Sequence, residues 1–213
     1  MSLFSPVGVE ERSIAVSWLR ARLPVVALLA AVMVVGLIVA LALGWNSPRP
    51  LGAPDWEAAD LPHRMAVAPD TTSLKLLGHP SGDFTLEVTV LPLTEPGRDF
   101  YNFGLVYRAQ DRSHYYAFAL GTDGYYAVLR VDGDRVEPLI PWQQFPHIRR
   151  GQQQNRLLAA CSGAACTFRI NDEYAATIED DRWLSGDVGL WGQSAAKRVM
   201  LEFKDARTWA LDR

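Results

Sequence analysis

Two patterns of hydrophobic and polar positions divide the chain. From Leu23 to Trp45 the residues are continuously apolar, and none of them carries a charge. From about residue 64 onward, apolar and polar residues alternate with a period of two, as in half-buried β-strands. The stretches DFTLEVTVL (83–91) and FYNFGLVYR (100–108) show this alternation most clearly. The pattern therefore predicts one helix followed by an all-β region.

Turn signals recur through the all-β region. Pairs and triplets of Gly, Pro, Asp and Asn separate the alternating stretches, for example Thr-Asp-Gly at 122–124 and Asp-Gly at 132–133. About a dozen short strands with almost no helical periodicity predict an antiparallel β-sandwich of two sheets. Neither a second domain nor a low-complexity repeat is predicted.

The apolar stretch 23–45 is long enough to span a membrane. As a helix it would extend about 34 Å, at roughly 1.5 Å per residue, against a hydrocarbon core of about 30 Å. A cleaved signal peptide is the alternative, but the apolar stretch is long for one and the preceding residues include Glu10 and Glu11. Ala40-Leu41-Ala42 offers only a weak cleavage site. We expect a retained transmembrane anchor that contacts the lipid bilayer.

The arginines predict the orientation of this anchor. Arg12, Arg20 and Arg22 precede the span, whereas only Arg49 follows it closely. By the positive-inside rule, the N-terminus is cytoplasmic. The predicted organisation is a cytoplasmic segment (1–22), a transmembrane helix (23–45), a Pro-rich stalk (46–62) and an extracytoplasmic β-sandwich (63–213). The predicted location is the cytoplasmic membrane, crossed once.

Small residues repeat along the predicted anchor. Gly36, Ala40 and Gly44 are spaced four residues apart, which places them on one helix face. Such a stripe allows close packing against another transmembrane helix. It favours membrane protein subunits as partners, although Ala and Gly are common in any transmembrane segment.

Charge and motif content exclude several functions. The formal net charge is −3, and no stretch gathers Lys and Arg into a basic stripe, so nucleic acid is not expected as a partner. The four histidines are isolated, and no cofactor or metal site is predicted, although a single calcium site in the loops stays open. No phosphate-binding loop, nucleophile elbow or dinucleotide fingerprint is present.

The two cysteines predict a disulfide. Cys161 and Cys166 flank the four residues Ser-Gly-Ala-Ala, between two apolar stretches. In a hairpin with that loop they would lie opposite each other, within disulfide reach. Two free thiols are the alternative, but the expected extracytoplasmic location favours the bond.

The hairpin around 115–130 predicts a candidate binding surface. A two-residue turn at Thr122–Asp123 would pair Leu120 with Tyr125, Phe118 with Ala127 and Tyr116 with Leu129, all on the core face. The preceding strand would add Phe103, Leu105 and Tyr107 to this face. On the opposite face, small residues would form the floor of a shallow trough surrounded by aromatic and polar side chains. This predicted trough consists of Asn102, Gly104, Arg108, Tyr115, Ala117, Ala119, Tyr126 and Arg130.

The predicted trough has two interpretations. Aromatic rings beside hydrogen-bonding groups over a floor of small residues would suit a sugar ring or an inserted side chain of a partner. Alternatively, Tyr115 stacks on Arg130 as an ordinary cross-strand pair, and the small residues only allow the sheet to curve. Trp142 is a possible exposed rim residue, or else a tryptophan that caps the core.

The order of these stretches resembles a bacterial family of concanavalin A-like jelly-roll domains, described as laminin-G-like or keto-disaccharide-hydrolase-like. The resemblance covers roughly residues 73–207. It depends most on YRAQD…YYAF, on Gly151-x-x-x-Asn155-Arg156-Leu157 and on the closing GDVGLW. It implies two curved antiparallel sheets and, in some relatives, carbohydrate contact on the concave face.

Three functions remain in competition. Glycosidases with this fold use a Glu-x-Asp-x-x-Glu pattern, which the chain lacks; its nearest acidic cluster is Glu179-Asp180-Asp181. We therefore expect a non-catalytic, membrane-anchored interaction module that acts as an accessory subunit of a membrane protein complex. A cell-surface carbohydrate-binding module is the alternative, and a glycoside hydrolase is a third reading.

Overall fold

The computed structural model describes residues 26–39 and 52–211. Residues 26–39 form a helix whose large apolar side chains are exposed. This helix and residues 52–211 belong to two separate compact units. In the described parts of the chain, no helix is both long enough and apolar enough to cross a membrane.

The predicted anchor is thus described only in part. The ends of the predicted span, 23–25 and 40–45, lie outside the described residues, as do the cytoplasmic segment 1–22 and the first residues of the stalk. Gly36 lies in the helix, whereas Ala40 and Gly44 of the predicted packing stripe also lie outside the described residues. The membrane anchor and its partners therefore stay predictions.

Residues 52–211 form an all-β structure with thirteen described strands. Their bounds are β1 Trp56–Glu57, β2 His63–Val67, β3 Thr71–Leu76, β4 Phe84–Pro92, β5 Tyr101–Ala109, β6 His114–Gly121, β7 Tyr125–Asp132, β8 Arg135–Gln144, β9 Asn155–Ser162, β10 Ala165–Ile170, β11 Glu173–Glu179, β12 Asp187–Ser194 and β13 Val199–Ala210.

The strands form two antiparallel sheets. The seven-stranded sheet has the order β1-β13-β4-β9-β10-β11, and β2 also pairs with β13. The six-stranded sheet has the order β3-β12-β5-β6-β7-β8. This arrangement confirms the predicted two-sheet antiparallel sandwich.

The core lies between the inner faces of the two sheets. Alternation along β4 buries Phe84, Leu86, Val88 and Val90 almost completely, because successive side chains point to opposite faces of a strand. On the opposing sheet, the rings of Tyr107 and Tyr116 stack at a centroid distance of 5.1 Å, and Phe118 contacts Phe168 at 4.8 Å. Each such ring contributes about 2–3 kcal/mol through its burial.

The predicted stalk 46–62 is wrong for its described part. Trp56–Glu57 pairs with β13, and the ring of Trp56 stacks on His79 at a centroid distance of 4.3 Å. The backbone N–H of Ala58 donates to the carbonyl of Ala206 at 3.0 Å. These contacts make residues 52–62 part of the sandwich, because Trp56 gains a packing partner that an isolated Pro-rich segment would not provide.

The β5–β6 pairing follows the prediction, whereas the β6–β7 pairing does not. Leu105 lies opposite Phe118, as expected. In the next hairpin, however, Leu120 lies opposite Tyr126, which is one residue away from the predicted register. The loop contains three residues, since Gly124 adopts a φ of +92° and its N–H donates to the Gly121 carbonyl at 3.0 Å. This is the turn followed by a left-handed glycine that three-residue hairpin loops favour.

The one-residue shift exchanges the two tyrosines after the loop. Tyr126 lies in the core with 2% of its surface exposed, and Tyr125 is 39% exposed. The Tyr126 hydroxyl donates to the Ala175 carbonyl at 3.1 Å. The prediction that Tyr125 is buried and Tyr126 lies on the outer face was therefore wrong.

Substitution of these tyrosines tests the register. We expect Tyr126→Ala to lower the free energy of unfolding by about 3–5 kcal/mol, because it removes a buried ring. Tyr125→Ala is its matched control and should change stability by less than about 0.5 kcal/mol, as at other surface positions. Urea denaturation of both variants measures the difference, and equal losses would contradict the register.

The predicted disulfide between Cys161 and Cys166 is present. The two residues lie directly opposite each other in the β9–β10 hairpin, and both are buried. Their bond therefore links neighbouring strands of the seven-stranded sheet, close to the hairpin turn.

Reduction of this bond should have a moderate effect. Because the closed loop is short, we expect a loss of about 2 kcal/mol in the free energy of unfolding, from the greater chain entropy of the unfolded state. Urea denaturation with and without a thiol reductant measures it, with the Cys161→Ala/Cys166→Ala variant as control. A reductant effect of the same size in that variant would show that the bond is not its cause.

Candidate functional site

The outer face of the six-stranded sheet carries most of the predicted trough, and its centre is apolar. Trp191 lies opposite both Leu74 and Gly104, and Gly104 lies opposite Ala119. Trp191 is only 2% exposed and belongs to a second buried cluster together with Ala119 and Tyr115. Side chains of the protein itself thus fill the centre of the predicted trough.

Position 104 requires a glycine, because the neighbouring strand leaves no room for a side chain there. A Cβ atom at this position would collide with the backbone carbonyl oxygen of Phe118 on the neighbouring strand. Ala117 and Ala119, the other predicted floor residues, are fully buried. The small residues therefore allow close packing of strands and of Trp191.

Tyr115 is a packing residue of this second cluster. It lies opposite Val131, so the predicted cross-strand pair with Arg130 is wrong. Burial raises the pKa of the Tyr115 phenol, and the nearby Trp191 indole partly opposes this increase. The indole N–H of Trp191 itself makes no hydrogen bond of good geometry. Tyr115 is 5% exposed, which leaves its ring little surface for a ligand.

Arg108 does not lie on the outer face. Its φ of +51° accompanies an irregular register between β5 and β12, and its side chain is 1% exposed. The guanidinium donates to the carbonyl of Gly163 at 2.7 Å and, through longer bonds, to those of Gly82 and Trp183. Burial lowers the pKa of this guanidinium, and the carbonyl oxygens compensate part of its lost hydration. Arg108 therefore joins three loops at one end of the sandwich.

Arg130 also lies away from the predicted trough. It is opposite Tyr116 on the core side of β7 and forms ion pairs with Asp180 and with Glu137, the latter at 2.8 Å. The Tyr116 hydroxyl donates to the same Asp180 carboxylate. These contacts fasten the loop after β11 to the end of the sandwich.

Asn102 is the predicted trough residue that lines an open pocket. Its amide N–H donates to Gln193 Oε1 at 3.1 Å. The pocket has a volume of about 340 Å³, and the ring of Phe100 at its border is 53% exposed. The lining residues are Asp70, Thr71, Thr72, Phe100, Tyr101, Asn102, Gln193, Ser194 and Ala195.

Tyr101, at the start of β5, borders this pocket, while its side chain packs in the core. Its hydroxyl donates to the Thr94 carbonyl, and burial raises its pKa to about 12. The phenol is therefore protonated at neutral pH and holds a fixed position.

A row of polar side chains continues from the pocket across the sheet. Thr72 lies opposite Gln193, and Gln193 lies opposite Asn102. On β6 the position opposite Asn102 is Gly121, which has no side chain, and on the next two strands Tyr125 lies opposite Gln144. We call Thr72, Gln193, Asn102, Tyr125 and Gln144 the polar row. Its ends are five strand spacings of about 4.8 Å apart, or roughly 24 Å.

Trp142 lies near the β8 end of the polar row. It precedes Gln144 by two residues, and 40% of its surface is exposed. The structure thus places it as an exposed aromatic residue, as in the rim interpretation. Trp142 and Tyr125 together provide aromatic surface at this end of the row, and Phe100, which directly precedes β5, provides it beside Asn102.

Sequence reasoning missed Thr72, Gln193, Phe100 and the exposure of Tyr125. Gln193 follows Trp191 by two residues, so the alternation of GLWGQS placed both on one face. Alternation could not predict which strands pair with β12, because β12 lies between β3 and β5, which are distant from it in sequence. Within residues 26–39 and 52–211, no three His, Cys, Asp or Glu side chains come together as metal ligands.

Comparison with solved structures supports the fold assignment. The carbohydrate-binding module CBM66 from Bacillus subtilis has a TM-score of 0.58 and 16% identity, with 68% of this chain and 86% of the module covered. A Saccharomyces cerevisiae protein of unknown function has a TM-score of 0.52 and 12% identity, with coverages of 76% and 96%. The galectin LEC-6 of Caenorhabditis elegans has a TM-score of 0.46 and 14% identity, with coverages of 70% and 98%.

The first two of these similarities show the β-sandwich fold, which agrees with the concanavalin A-like jelly-roll architecture implied by the sequence resemblance. At such low identities they show the fold alone. No family profile and no curated protein sequence matches the chain.

The structural role of Arg108 is testable. We expect Arg108→Met to lower the free energy of unfolding by about 3 kcal/mol, because three carbonyls lose a charged donor. Arg112→Met is the matched control, since exposed Arg112 donates to one carbonyl, that of Leu74, and should cost less than about 1 kcal/mol. Thermal and urea denaturation compare the two variants, and equal losses would contradict the role of Arg108.

Proposed function

We propose that the sandwich is a non-catalytic carbohydrate-binding module that holds a sugar chain along the polar row. The observation that supports this most directly is that the row is continuous with the Asn102 pocket and has exposed aromatic rings beside Asn102 and at its β8 end. Sugars present hydroxyl groups that both donate and accept hydrogen bonds, and apolar ring faces that pack on aromatic side chains.

The amide side chains of the row fit this ligand chemistry. Asn102, Gln193 and Gln144 each offer two N–H donors and one carbonyl acceptor, which match the dual character of a hydroxyl group. The Asn102–Gln193 hydrogen bond fixes the orientation of both amides and leaves further donors and acceptors for a ligand. A length of roughly 24 Å suits a short oligosaccharide better than a single ring.

The composition of the face supports binding without catalysis. Retaining and inverting glycosidases need two carboxyl groups that flank the scissile bond. Among the residues that line the Asn102 pocket, Asp70 is the single carboxylate. The fold similarity to a carbohydrate-binding module supports the same reading, and it favours the lectin-like alternative over the accessory-subunit prediction.

The membrane predictions form a separate part of the proposal. We propose that the sandwich faces the oxidising side of a bacterial cytoplasmic membrane, tethered by residues 23–45. The Cys161–Cys166 bond supports this, because disulfides persist in oxidising compartments. An accessory role in a membrane protein complex remains a sequence-based prediction.

Binding to immobilised oligosaccharides tests the proposed module. We expect the full-length protein to bind at least one oligosaccharide on a glycan array. Trp142→Ala and Gln193→Ala should each weaken that binding about tenfold or more, equivalent to 1.4 kcal/mol, because a stacking surface or a fixed amide is lost. Titration calorimetry with the best array ligand measures the affinities.

The matched control is Val136→Ala. Val136 lies on β8 like Trp142 and is 58% exposed, but it lies at the other end of the strand. Its substitution should leave affinity unchanged. Absence of binding to every oligosaccharide, or equal losses for Val136→Ala and Trp142→Ala, would contradict the proposed function.

A further inference from the structure

The outer face of the opposite, seven-stranded sheet contains a second pocket. Its volume is about 330 Å³, and it lies where β13, β4 and β9 run side by side. The polar row does not contribute to it. Its lining residues are Glu87, Thr89, Arg149, Gln154, Arg156, Asn171, Asp172, Asp205 and Arg207.

A β-bulge turns Asp205 toward this pocket. The β13–β4 register changes between Phe203, opposite Val90, and Asp205, opposite Thr89. Strict alternation from buried Phe203 would have pointed Asp205 into the core; the extra residue of the bulge reverses this, so that Ala206 is buried instead. Asp205, Thr89 and, on β9, Arg156 then form one row across three strands.

The rim of the pocket is held by the Asn155-Arg156 motif. The side chain of Asn155 is fully buried; its Oδ1 accepts the Arg149 backbone N–H at 2.9 Å, and its Nδ2 donates to the Arg149 carbonyl at 2.8 Å. Asn171 Nδ2 donates to the same Asn155 Oδ1 at 2.9 Å. Asn155 therefore joins the loop before β9 to the β10–β11 turn, and the neighbouring Arg156 lines the pocket. The motif thus builds a preformed recess.

Two carboxylates in the recess lack full compensation. Asp205 Oδ1 is buried and has no hydrogen-bond partner. Glu87 is mostly buried, and its contact with Arg156 is long, with 3.6 Å between Oε2 and Nε. Burial raises the pKa of Glu87 above its ordinary value, an effect that Arg156 opposes. A buried acceptor without a donor is costly, and a ligand that donates hydrogen bonds to the accessible edges of these two carboxyl groups would offset part of that cost.

The charges of the lining balance. Three carboxylates, Glu87, Asp172 and Asp205, face three guanidinium groups, Arg149, Arg156 and Arg207. In such a balanced lining a ligand with a net charge would gain little net attraction, because one set of groups attracts it and the other repels it. A neutral polyhydroxylated molecule can donate to Asp205 and Glu87 and accept from the arginines through the same kind of group. A volume of about 330 Å³ lies at the small end of ligand sites, which favours one sugar ring or two over a long chain.

We propose that this recess is a second sugar-binding site, one that takes a neutral monosaccharide unit or chain end on the opposite side of the sandwich. It depends on Asp205 as acceptor and Arg156 as donor. Together with the polar row it makes the module bivalent, so that one domain can contact two glycan segments. The proposal shares its ligand class with the proposed function but uses different residues on a different sheet.

Saturation-transfer NMR with the full-length protein tests the second site. The probes are the methyl glycosides of glucose, galactose, mannose and fructose, with glucuronate and glucosamine as charged comparisons. We expect at least one neutral glycoside to bind to Trp142→Ala as it binds to the unmodified protein. Asp205→Ala and Arg156→Met should each weaken this binding tenfold or more. Lys204→Ala is the matched control, because Lys204 is the exposed neighbour of Asp205 on β13 and does not line the recess.

The outcomes separate the two sites. If Trp142→Ala abolished all monosaccharide binding while Asp205→Ala left it unchanged, the second site would be overturned and the first would stand. If monosaccharide binding were lost in Asp205→Ala but kept in Trp142→Ala, the second site would be supported, whatever the oligosaccharide array shows for the polar row. Tighter binding of glucuronate or glucosamine by more than tenfold would overturn the assignment to neutral sugars. Circular dichroism of each variant checks folding, and Arg156→Met provides the second arm if Asp205→Ala does not fold.

Discussion

The left-handed backbone of Gly124 determines what both faces of the six-stranded sheet present. With three residues in the β6–β7 loop, Tyr126 and Val128 enter the core, whereas Ala127 and Leu129 join the second cluster on the outer face. A two-residue turn would exchange every side chain of β7 between these faces, since side chains alternate strictly along a strand. The exposed position of Tyr125, and with it the aromatic end of the polar row, depends on this single turn.

Two arginines of the six-stranded sheet find their hydrogen-bonding and ionic partners at the ends of the sandwich, where loops and strand edges supply carbonyl and carboxylate groups. Arg130 points to the core side of β7, yet it reaches Asp180 and Glu137 at the edge of the structure. Arg108 is more deeply buried and obtains its compensation from loop carbonyls. Burial of these arginines thus carries a smaller cost than in a closed core, and both side chains tie loops to the sheets.

The two outer faces differ because their centres differ. On the six-stranded sheet, Trp191 and small residues close the centre, so an open pocket and the exposed rings are left at one end of the strands. On the seven-stranded sheet, the bulge in β13 and the buried Asn155 place charged groups around a recess between neighbouring strands. Both surfaces use side chains that rigid strands and fixed hydrogen bonds hold in position.

The sequence by itself determined the all-β sandwich, the Cys161–Cys166 pairing and the β5–β6 register, because each follows from local alternation and a nearby turn. Tertiary structure decided the rest. Only the pairing of distant strands joins Gln193 to Asn102, and only backbone geometry at Gly124 and at the β13 bulge decides which face Tyr126 and Asp205 occupy. A one-residue change in a turn or bulge moves the following side chains to the opposite face of the sheet, while the hydrophobic pattern of the sequence stays the same. The period-two pattern therefore cannot reveal it.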